Sequence, residues 1–390
     1  MNFDLSPEQQ DLQERALAAG REFRDVCGTW DAEDRAPYRE VFDRMGELGF
    51  FGLTMPEEVG GQGGTALDYL IATAAIFRAS QTWLCCEPLF CTSGPGPSMI
   101  LLGDERVREK YLPGVVAGRR GCNIALTEPE AGSALTHLQT TARREGDEYV
   151  VDGSKSYVTG AVVNDLHAVF VRFDGIAGAR GIGALVVEDG MPGVTVERGP
   201  EFVGDRGIPH GNVHLDGARV PAENLIVGPG EFGRLMSAFN IERLHNTAFW
   251  LGAAEAAYDE AAAYVQTREA FGRPVIEFQS VYHDLADMWV NLEALRLLAY
   301  RAAATATDGR FPKLLDVTIA KLFGATIGPQ ATLKSLELHG GYGVTMDYPI
   351  QRIHRDAISN VVAGGAPALL RNGIAAGLFP DRRFPQTPGR

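Results

Sequence analysis

Three side chains that could do chemistry lie along one predicted helix between Phe239 and Gln279. Glu242 is a carboxylate that could act as a base, and Arg243 follows it directly. Near the far end, Arg268 offers a fork of N–H donors that suits phosphate. Each also has an ordinary explanation, because acidic residues near a helix start and basic residues near its end both compensate the helix dipole. Their function therefore depends on what the other segments bring to them.

The helix itself is predicted from the spacing of apolar residues. They recur in steps of three and four, which places them on one face of an α-helix. These residues are Ala248, Leu251, Ala254, Ala257, Tyr258, Ala261 and Val265. Phe271-Gly272, followed by Pro274, predicts that the helix ends near residue 271. Glu242 is then expected near its start and Arg268 in its last turn.

Two loops place hydroxyl groups beside backbone that glycine or proline can hold in a fixed shape. They are Ala125–Ser133 and Lys155–Gly160. Taken alone, Thr127 and Ser133 are typical of residues that cap turns, and Tyr157 is typical of a core residue. The loops gain significance only in combination with the helix.

Composition narrows the class of protein. The chain has 390 residues, 45% of them apolar and 22% charged, with a formal net charge of -14. The acidic balance argues against nucleic-acid binding and against a polybasic membrane patch. No apolar run approaches the length of a bilayer span, and the N-terminus lacks the features of a signal peptide. Five cysteines without disulfide or zinc-site spacing predict reduced thiols and no metal site, so a soluble cytoplasmic protein is expected.

The order of elements predicts an α+β chain with three domains. Residues 1–120 read as helices that break at Pro88 and Gly94–Pro97 and end near Pro113. Residues 121–230 carry short alternating runs separated by Asp-Gly turns, which predicts an antiparallel β-barrel or sandwich. Residues 231–380 carry long helical patterns, the last at Asp356–Leu378 with a Gly-Gly interruption, which predicts a four-helix bundle. Residues 381–390 read as a disordered tail.

Several motifs occur together in an order that resembles the acyl-CoA dehydrogenase family over nearly the whole chain. Ala125–Ser133 resembles its Thr-Glu-Pro-x-Ala-Gly-Ser loop. Lys155–Gly160 resembles its Lys-x-Trp-Ile-Thr loop, with Tyr157 in place of Trp. Arg268–Gln279 matches its Arg-x-x-Phe-Gly motif and the later Gln, and Glu337–Gly343 resembles its Gly-Gly-x-Gly turn.

The resemblance implies FAD bound without a Rossmann fold, and the chain indeed lacks a Gly-x-Gly-x-x-Gly motif after a strand. The isoalloxazine ring is expected to contact Leu126, Thr127, Ser133, Tyr157, Val158 and Thr159. The pyrophosphate and adenosine of a neighbouring subunit's FAD are expected to contact Arg268, Phe271, Gln279, Glu337, Leu338, Gly340 and Gly341. Ser133 is also expected to reach the substrate, as is Arg243. Cofactor sites shared in this way imply a homo-oligomer, a dimer or a tetramer, and the usual redox partner is an electron-transfer flavoprotein.

The chain departs from the family at its usual catalytic base. Most members carry a glutamate nine residues after the Arg that corresponds to Arg355, and here that position is Gly364. Some members instead carry the base on the long helix, directly before an arginine, and this position is Glu242. A glycine at 364 leaves room for a side chain that arrives from the helix. Ala134 and Ala366 replace a usual Asp and Thr near the cofactor.

The resemblance therefore predicts α,β-dehydrogenation of an acyl thioester, carried by CoA or by acyl carrier protein. Glu242 is expected to remove the α-proton while flavin N5 accepts the β-hydride. Burial should raise the pKa of Glu242, and Arg243 should oppose that rise.

Two alternatives remain open. Related proteins include enoyl-CoA reductases and other flavin-dependent thioester enzymes, and the missing glutamate at 364 would also fit a catalytically silent subunit of a mixed oligomer. The acyl group is also left open by the sequence. An apolar group in residues 80–100 would form either its pocket wall or ordinary core: Trp83, Cys85, Cys86, Phe90, Cys91 and Met99.

Overall fold

The computed structural model describes residues 4–306, 311–382 and 384. Most of the predicted tail, residues 383 and 385–390, lies outside this part of the chain. The N-terminal helices are α1 (Pro7–Glu33), α2 (Tyr38–Glu47), α3 (Ala66–Ser80), α4 (Glu87–Ser93), α5 (Pro95–Ile100) and α6 (Glu105–Val116).

The predicted start of α1 is explained by its cap. Ser6 Oγ accepts a hydrogen bond from the backbone N–H of Gln9 at 3.2 Å, and the Gln9 side chain accepts one from the Ser6 N–H at 3.1 Å. This reciprocal capping satisfies two backbone donors that the first helical turn leaves free. Pro7 occupies the first helical position, where its missing N–H costs nothing.

The prolines of this region interrupt helical structure less than the sequence predicts. Pro88 and Pro95 lie in the first turns of α4 and α5, where a backbone N–H has no partner within the helix. Pro113 lies inside α6 instead of ending it. Val115 and Val116 are buried beyond it, so packing holds the last turn in place.

The middle of the chain forms one eight-stranded sheet. In chain order its strands are β1 (Cys122–Ala125), β2 (Thr141–Glu145), β3 (Glu148–Val158), β4 (Leu166–Phe173), β5 (Ile182–Glu188), β6 (Val194–Arg198), β7 (Gly211–Pro221) and β8 (Leu225–Val227). The hydrogen-bonded order is β6-β7-β3-β2-β4-β5-β8, with β1 beside β4. Most pairs are antiparallel, as predicted, but β4 pairs in parallel with both β1 and β2, so the sheet is mixed.

Strand β4 shows how the sheet lies between two hydrophobic cores. Val169, Val171 and Phe173 pack into the core inside the β domain. The alternate residues Ala168 and Phe170 pack against the helices of the neighbouring domain. This period of two is the expected pattern for a strand that is buried on both faces.

The C-terminal part contains α7 (Phe232–Thr267), a short hairpin of β9 (Glu269–Ala270) and β10 (Arg273–Pro274), α8 (Gln279–Ala304), α9 (Leu314–Leu338), α10 (Ile350–Ser359) and α11 (Pro367–Leu378). The predicted fourth helix is two helices, because Gly364 and Gly365 adopt φ values of 61° and 115° between them. Helix α7 ends at Thr267 rather than 271, because the β9–β10 hairpin begins directly after it. It also begins ten residues before Glu242, so that residue lies inside the helix and not at its start.

Close packing around α7 fixes its position between α3 and α9. Trp250 on α7 lies against α9, where a Cβ on Gly328 would approach the indole Cδ1 to 2.5 Å. On the opposite side, a Cβ on Gly252 would approach the Ala74 carbonyl oxygen of α3 to 2.5 Å. Glycine at these positions lets the helices approach more closely than any larger residue would allow.

Two absences hold for the described residues. No group of three or more His, Cys, Asp or Glu side chains is arranged to hold a metal ion. No single helix there has the length and composition to cross a membrane, although the bent pair Ile350–Val362 and Pro367–Leu378 passes that test jointly.

Candidate functional site

A cavity of about 560 Å³ lies where the three parts of the chain meet. It brings together most of the residues that were predicted for one end of the site: Leu126, Thr127, Ser133, Tyr157, Thr159, Glu242 and Arg243. Trp83 and Phe90 form part of its wall from the N-terminal helices. Two apolar side chains of residues 80–100 thus face the cavity. Cys85, Cys86, Cys91 and Met99 do not line it and are core residues.

The two predicted loops are joined beneath the cavity by a buried ion pair. Lys155 Nζ lies 2.7 Å from Glu128 Oε1, and the same carboxylate accepts hydrogen bonds from the backbone N–H groups of Gln139 and Thr140. Burial lowers the pKa of Lys155 to about 8, although Glu128 opposes this shift. Burial alone would raise the pKa of Glu128, but Lys155 and these N–H groups outweigh it and lower that pKa.

The Lys155–Gly160 loop presents an aromatic surface to the cavity. Tyr157 adopts the left-handed region with φ 60°, which turns its ring out of strand β3, and 55% of the residue is exposed. Phe202 meets Tyr157 edge-on and stacks on His210 at a ring distance of 4.1 Å. Val158 alternates with Tyr157, so its side chain points into the β core and does not line the cavity.

Glu242 faces these loops from the interior of α7. Its Oε1 accepts a hydrogen bond of 3.0 Å from Nδ2 of Asn246, one turn further along the helix. Its Oε2 has no hydrogen-bond partner among the described residues. Burial raises the pKa of Glu242, and Asn246, Lys321 and Arg243 oppose that rise. The carboxyl group therefore has one anchored oxygen and one oxygen free to exchange a proton.

Gly364 provides the space that Glu242 occupies. A Cβ at this position would lie 3.3 Å from Cγ of Glu242 and 2.9 Å from Nδ2 of Asn246. Contacts this short would force the neighbours to move. The left-handed φ of Gly364 adds a second reason for glycine at this position.

Arg243 lies beside Glu242 at the cavity wall. Its Nη1 donates to Oδ1 of Asn240 at 2.7 Å, and its guanidinium lies over the ring of Phe239. Burial lowers the pKa of Arg243 to about 10, while Glu242 opposes that shift. The side chain stays cationic at neutral pH.

The remaining predicted residues lie at the other end of α7. A second cavity of about 600 Å³ is lined by Arg268, Glu337, Leu338, Gly340 and Gly341. Phe271 is 96% exposed and Gln279 is also exposed, and neither residue lines this cavity. Arg268 directly follows α7 and lies 26 positions beyond Glu242, so the helical rise separates the two residues by about 39 Å. A single chain therefore does not bring the two sets of residues together.

Several cavity residues were not predicted from the sequence. They are Ser156, Phe202, Asp205, His210, Met236, Asn246, Asn360 and Leu369. Asn246 had a usable signal, because it lies four residues after Glu242 on a predicted helix and so must share its face. Phe202, Asp205 and His210 had none, because a loop without periodicity places them.

Comparison with known proteins decides the family. Three family models match the chain. They describe the N-terminal, middle and C-terminal domains of acyl-CoA dehydrogenase and match residues 6–119, 123–218 and 232–379, respectively. The chain belongs to the acyl-CoA dehydrogenase family.

Relatives within the family differ in the reaction that their names describe. A glutaryl-CoA dehydrogenase of Desulfococcus multivorans is 34% identical over 96% of this chain and 97% of its own. A caffeyl-CoA reductase–Etf complex subunit, CarC, of Acetobacterium woodii is 32% identical over 82% of this chain and 84% of its own. The butyryl-CoA dehydrogenase structure from Megasphaera elsdenii superposes with a TM-score of 0.92 at 30% identity, over 97% of this chain and all of that one. As an acyl-CoA dehydrogenase family member, the protein is an oxidoreductase of the flavoprotein class.

Proposed function

We propose that this family member catalyses FAD-dependent α,β-dehydrogenation of an acyl thioester, with Glu242 as the base for the α-proton. The observation that carries the proposal is that Glu242 lines the same cavity as Thr127 and Tyr157 and that its buried Oε2 has no hydrogen-bond partner among the described residues. Gly364 supports it, since a Cβ there would lie 2.9 Å from the Asn246 amide that anchors Glu242 and 3.3 Å from Cγ of Glu242.

The residues of the first cavity suit the ring system of FAD. The Tyr157 ring supplies a flat surface, and Thr127 and Thr159 supply hydroxyl groups beside it. The second cavity suits a pyrophosphate, because Arg268 is cationic and a Cβ on Gly340 or Gly341 would meet nothing within 4 Å, which leaves the backbone approachable. When bound, FAD would accept the β-hydride of the substrate.

Glu242 is suited to proton abstraction by its surroundings. The Asn246 amide fixes Oε1, so Oε2 is the atom that takes the proton. The raised pKa of Glu242 brings the carboxyl group nearer to working pH, where a general base is most effective. Arg243, at the same wall, balances the negative charge before the proton moves.

The separation of the two cavities supports a shared cofactor site. About 39 Å along α7 exceeds the length of one FAD molecule, so the Arg268 cavity of one chain would serve the Glu242 cavity of another. The substrate would be an acyl-CoA or acyl-carrier-protein thioester. The homo-oligomer would be a dimer or a tetramer, and an electron-transfer flavoprotein would reoxidise it.

A second candidate is the reverse reaction, reduction of an enoyl thioester. The reductase name of the A. woodii relative favours it, and so does Glu242, since a carboxyl group with a raised pKa can also donate a proton to the α-carbon. A silent subunit is disfavoured, because such a subunit needs neither a free carboxylate oxygen in the cavity nor the space at Gly364.

An anaerobic titration separates these functions. Purified protein is mixed with a panel of saturated acyl thioesters while the flavin absorbance is followed, and the reduced protein is then mixed with the matching enoyl thioesters. Bleaching by a saturated thioester supports the dehydrogenase. Reoxidation by enoyl thioesters without bleaching by any saturated one supports the reductase. Protein that is purified without FAD and does not bind it when supplied would contradict both.

A further inference from the structure

Lys321 is a buried lysine that has no role in the proposed reaction as described so far. It lies in α9, within the apolar run Ile319–Ala325, and its side chain is fully buried. Its Nζ donates a hydrogen bond to the carbonyl oxygen of Gly365 and lies 5.6 Å from the centre of the Trp250 ring. Among the described residues Lys321 forms no ion pair within 4.0 Å, whereas the equally buried Lys155 is paired with Glu128.

The hydrogen bond of Lys321 connects α9 to the space beside Glu242. Gly365 follows Gly364, the residue whose missing side chain admits Glu242. Both glycines have positive φ values, so this turn has no helical hydrogen bonds to hold it. The Lys321 ammonium supplies a fixed donor to the turn from the neighbouring helix.

Lys321 also acts on Glu242 through its charge. Its positive charge lowers the pKa of Glu242, against the larger effect of burial, and Glu242 in turn favours the charged form of Lys321. Arg243 is the other cation that acts on Glu242, from α7 itself. Tyr69 on α3 and Glu87 on α4 also face Glu242, and the interaction between the carboxylates raises the pKa of Glu87 further.

We propose that Lys321 is a positioning residue for the reaction: its ammonium holds the Gly364–Gly365 turn beside Glu242 through the hydrogen bond to Gly365 and places a positive charge at that turn. This inference rests on the proposed function, in which Glu242 must be unprotonated before it can take the α-proton. It assigns a role to a side chain that does not line the cavity.

The charges of Lys321 and Glu242 determine how loss of the Lys321 charge should change the pKa of Glu242. Burial lowers the pKa of Lys321 to about 7, so the side chain is mostly charged below neutral pH. Burial raises the pKa of Glu242, and the positive charge of Lys321 opposes that rise. Loss of the Lys321 charge should therefore raise the pKa of Glu242 and leave more of it protonated at a given acidic pH.

Three variants separate the charge of Lys321 from its hydrogen bond. Lys321→Arg keeps both, Lys321→Gln keeps a donor without charge, and Lys321→Met keeps neither. Protonation of Glu242 is read from its carboxyl infrared band across pH in the absence of substrate, as the difference from Glu242→Gln. The pH dependence of anaerobic flavin reduction by an acyl thioester is the second measurement.

We expect Lys321→Gln to move the titration of the Glu242 band upward by about one pH unit, the size typical of losing a nearby opposite charge. Lys321→Arg should leave it near the wild-type position. A band that titrates identically in wild type and Lys321→Gln would overturn the inference, as would a rate that falls equally at every pH. If Lys321→Met fails to fold, the comparison of Lys321→Gln with Lys321→Arg still tests the effect of the charge.

The two measurements also distinguish this inference from the proposed function. If the infrared titration moves and the acid limb of the rate profile moves with it, both stand. If the band moves while the rate profile does not, Lys321 controls Glu242 but Glu242 is not the base.

Discussion

The absent side chain of Gly364 and the carboxyl group of Glu242 occupy adjoining space. A Cβ on Gly364 would lie 3.3 Å from Cγ of Glu242, and the Asn246 amide that anchors Glu242 would lie 2.9 Å from it. Most members of the family carry the catalytic glutamate at the position that corresponds to Gly364 in this chain. In this chain the carboxylate would reach the same region from α7, where even a Cβ at position 364 would crowd Glu242 and Asn246.

Gly364→Ala should slow flavin reduction by at least about tenfold, because the new methyl group would displace Glu242 or Asn246 by a fraction of an ångström. Gly230→Ala is the matched control, since Gly230 has φ 91° and open space around its Cβ position. Both substitutions should cost about 1–2 kcal/mol of stability for a side chain in the left-handed region. Stopped-flow reduction and thermal unfolding measure the two effects. Equal rates in the two variants would contradict the account of Gly364.

Phe90→Ala should shift the acyl preference toward longer or bulkier groups, because Phe90 forms part of the cavity wall. Phe77→Ala is the control: Phe77 is also buried and packs edge-on against Phe249, but it does not line the cavity. Each should lose about 3–5 kcal/mol of stability. The measurement is the ratio of kcat/KM values for a short and a long acyl thioester. An unchanged ratio in Phe90→Ala would place the acyl group elsewhere.

Two buried histidines should reduce stability as pH falls. Burial lowers the pKa of His245 to about 3 and that of His210 to about 4. Between pH about 6.5, the pKa in the unfolded chain, and the lower pKa in the folded chain, only the unfolded chain binds a proton. Over this pH range each histidine therefore lowers the free energy of unfolding by about 1.4 kcal/mol for each unit that the pH falls. Asp356 should instead increase stability as pH falls over part of this range, because burial raises its pKa to about 6 in the folded protein.

His245→Asn isolates this effect, since the Asn amide can either accept from or donate to the Tyr69 hydroxyl, which lies 2.7 Å from Nδ1 of His245. The destabilisation caused by the substitution should shrink by about 2 kcal/mol between pH 7.5 and pH 5.0. Urea unfolding at the two pH values provides the measurement, with the exposed His137→Asn as control. A pH-independent difference would show that His245 takes up its proton in the folded protein.

Arg268→Ala should weaken FAD binding by about tenfold or more, because Arg268 is the one arginine among the described residues that line the second cavity. Arg273→Ala is the control, since Arg273 lies nearby but stacks on Phe278 and does not line the cavity. Retained flavin after dilution and dialysis gives the affinity. If both variants retain FAD as the wild type does, the second cavity does not bind the cofactor.

Much of the fold could be predicted from the sequence because local signals are strong there. Ser6-Pro7 and Gln9 specify the start of α1, and alternating apolar residues specify the strands. The parallel pairing of β4 with β1 and β2 could not be predicted, since the same alternation fits either direction. The early end of α7 was also missed, because the β9–β10 hairpin that follows Thr267 has no periodicity of its own.

The candidate site also contains some residues that could be predicted from the sequence and some that could not. Glu242 and the Thr127 and Tyr157 loops could be predicted from motifs, and the structure brings them to one cavity. The positions of Phe202 and His210 depend on tertiary packing and could not. Lys321 carried a weak signal, since it is the one charged residue in the apolar run Ile319–Ala325, but only the structure reveals that it reaches Gly365.

The central claim is that Glu242 is the α-proton base, and Glu242→Gln tests it most directly. Glutamine keeps the size of the side chain and can keep a contact with Asn246, but it cannot accept the proton. Rapid anaerobic mixing with the best acyl thioester gives the rate of flavin reduction in both proteins. The account predicts that the variant retains FAD and is reduced at least about a thousandfold more slowly. A variant that retains FAD and is reduced as fast as the wild type would contradict the account and require another base.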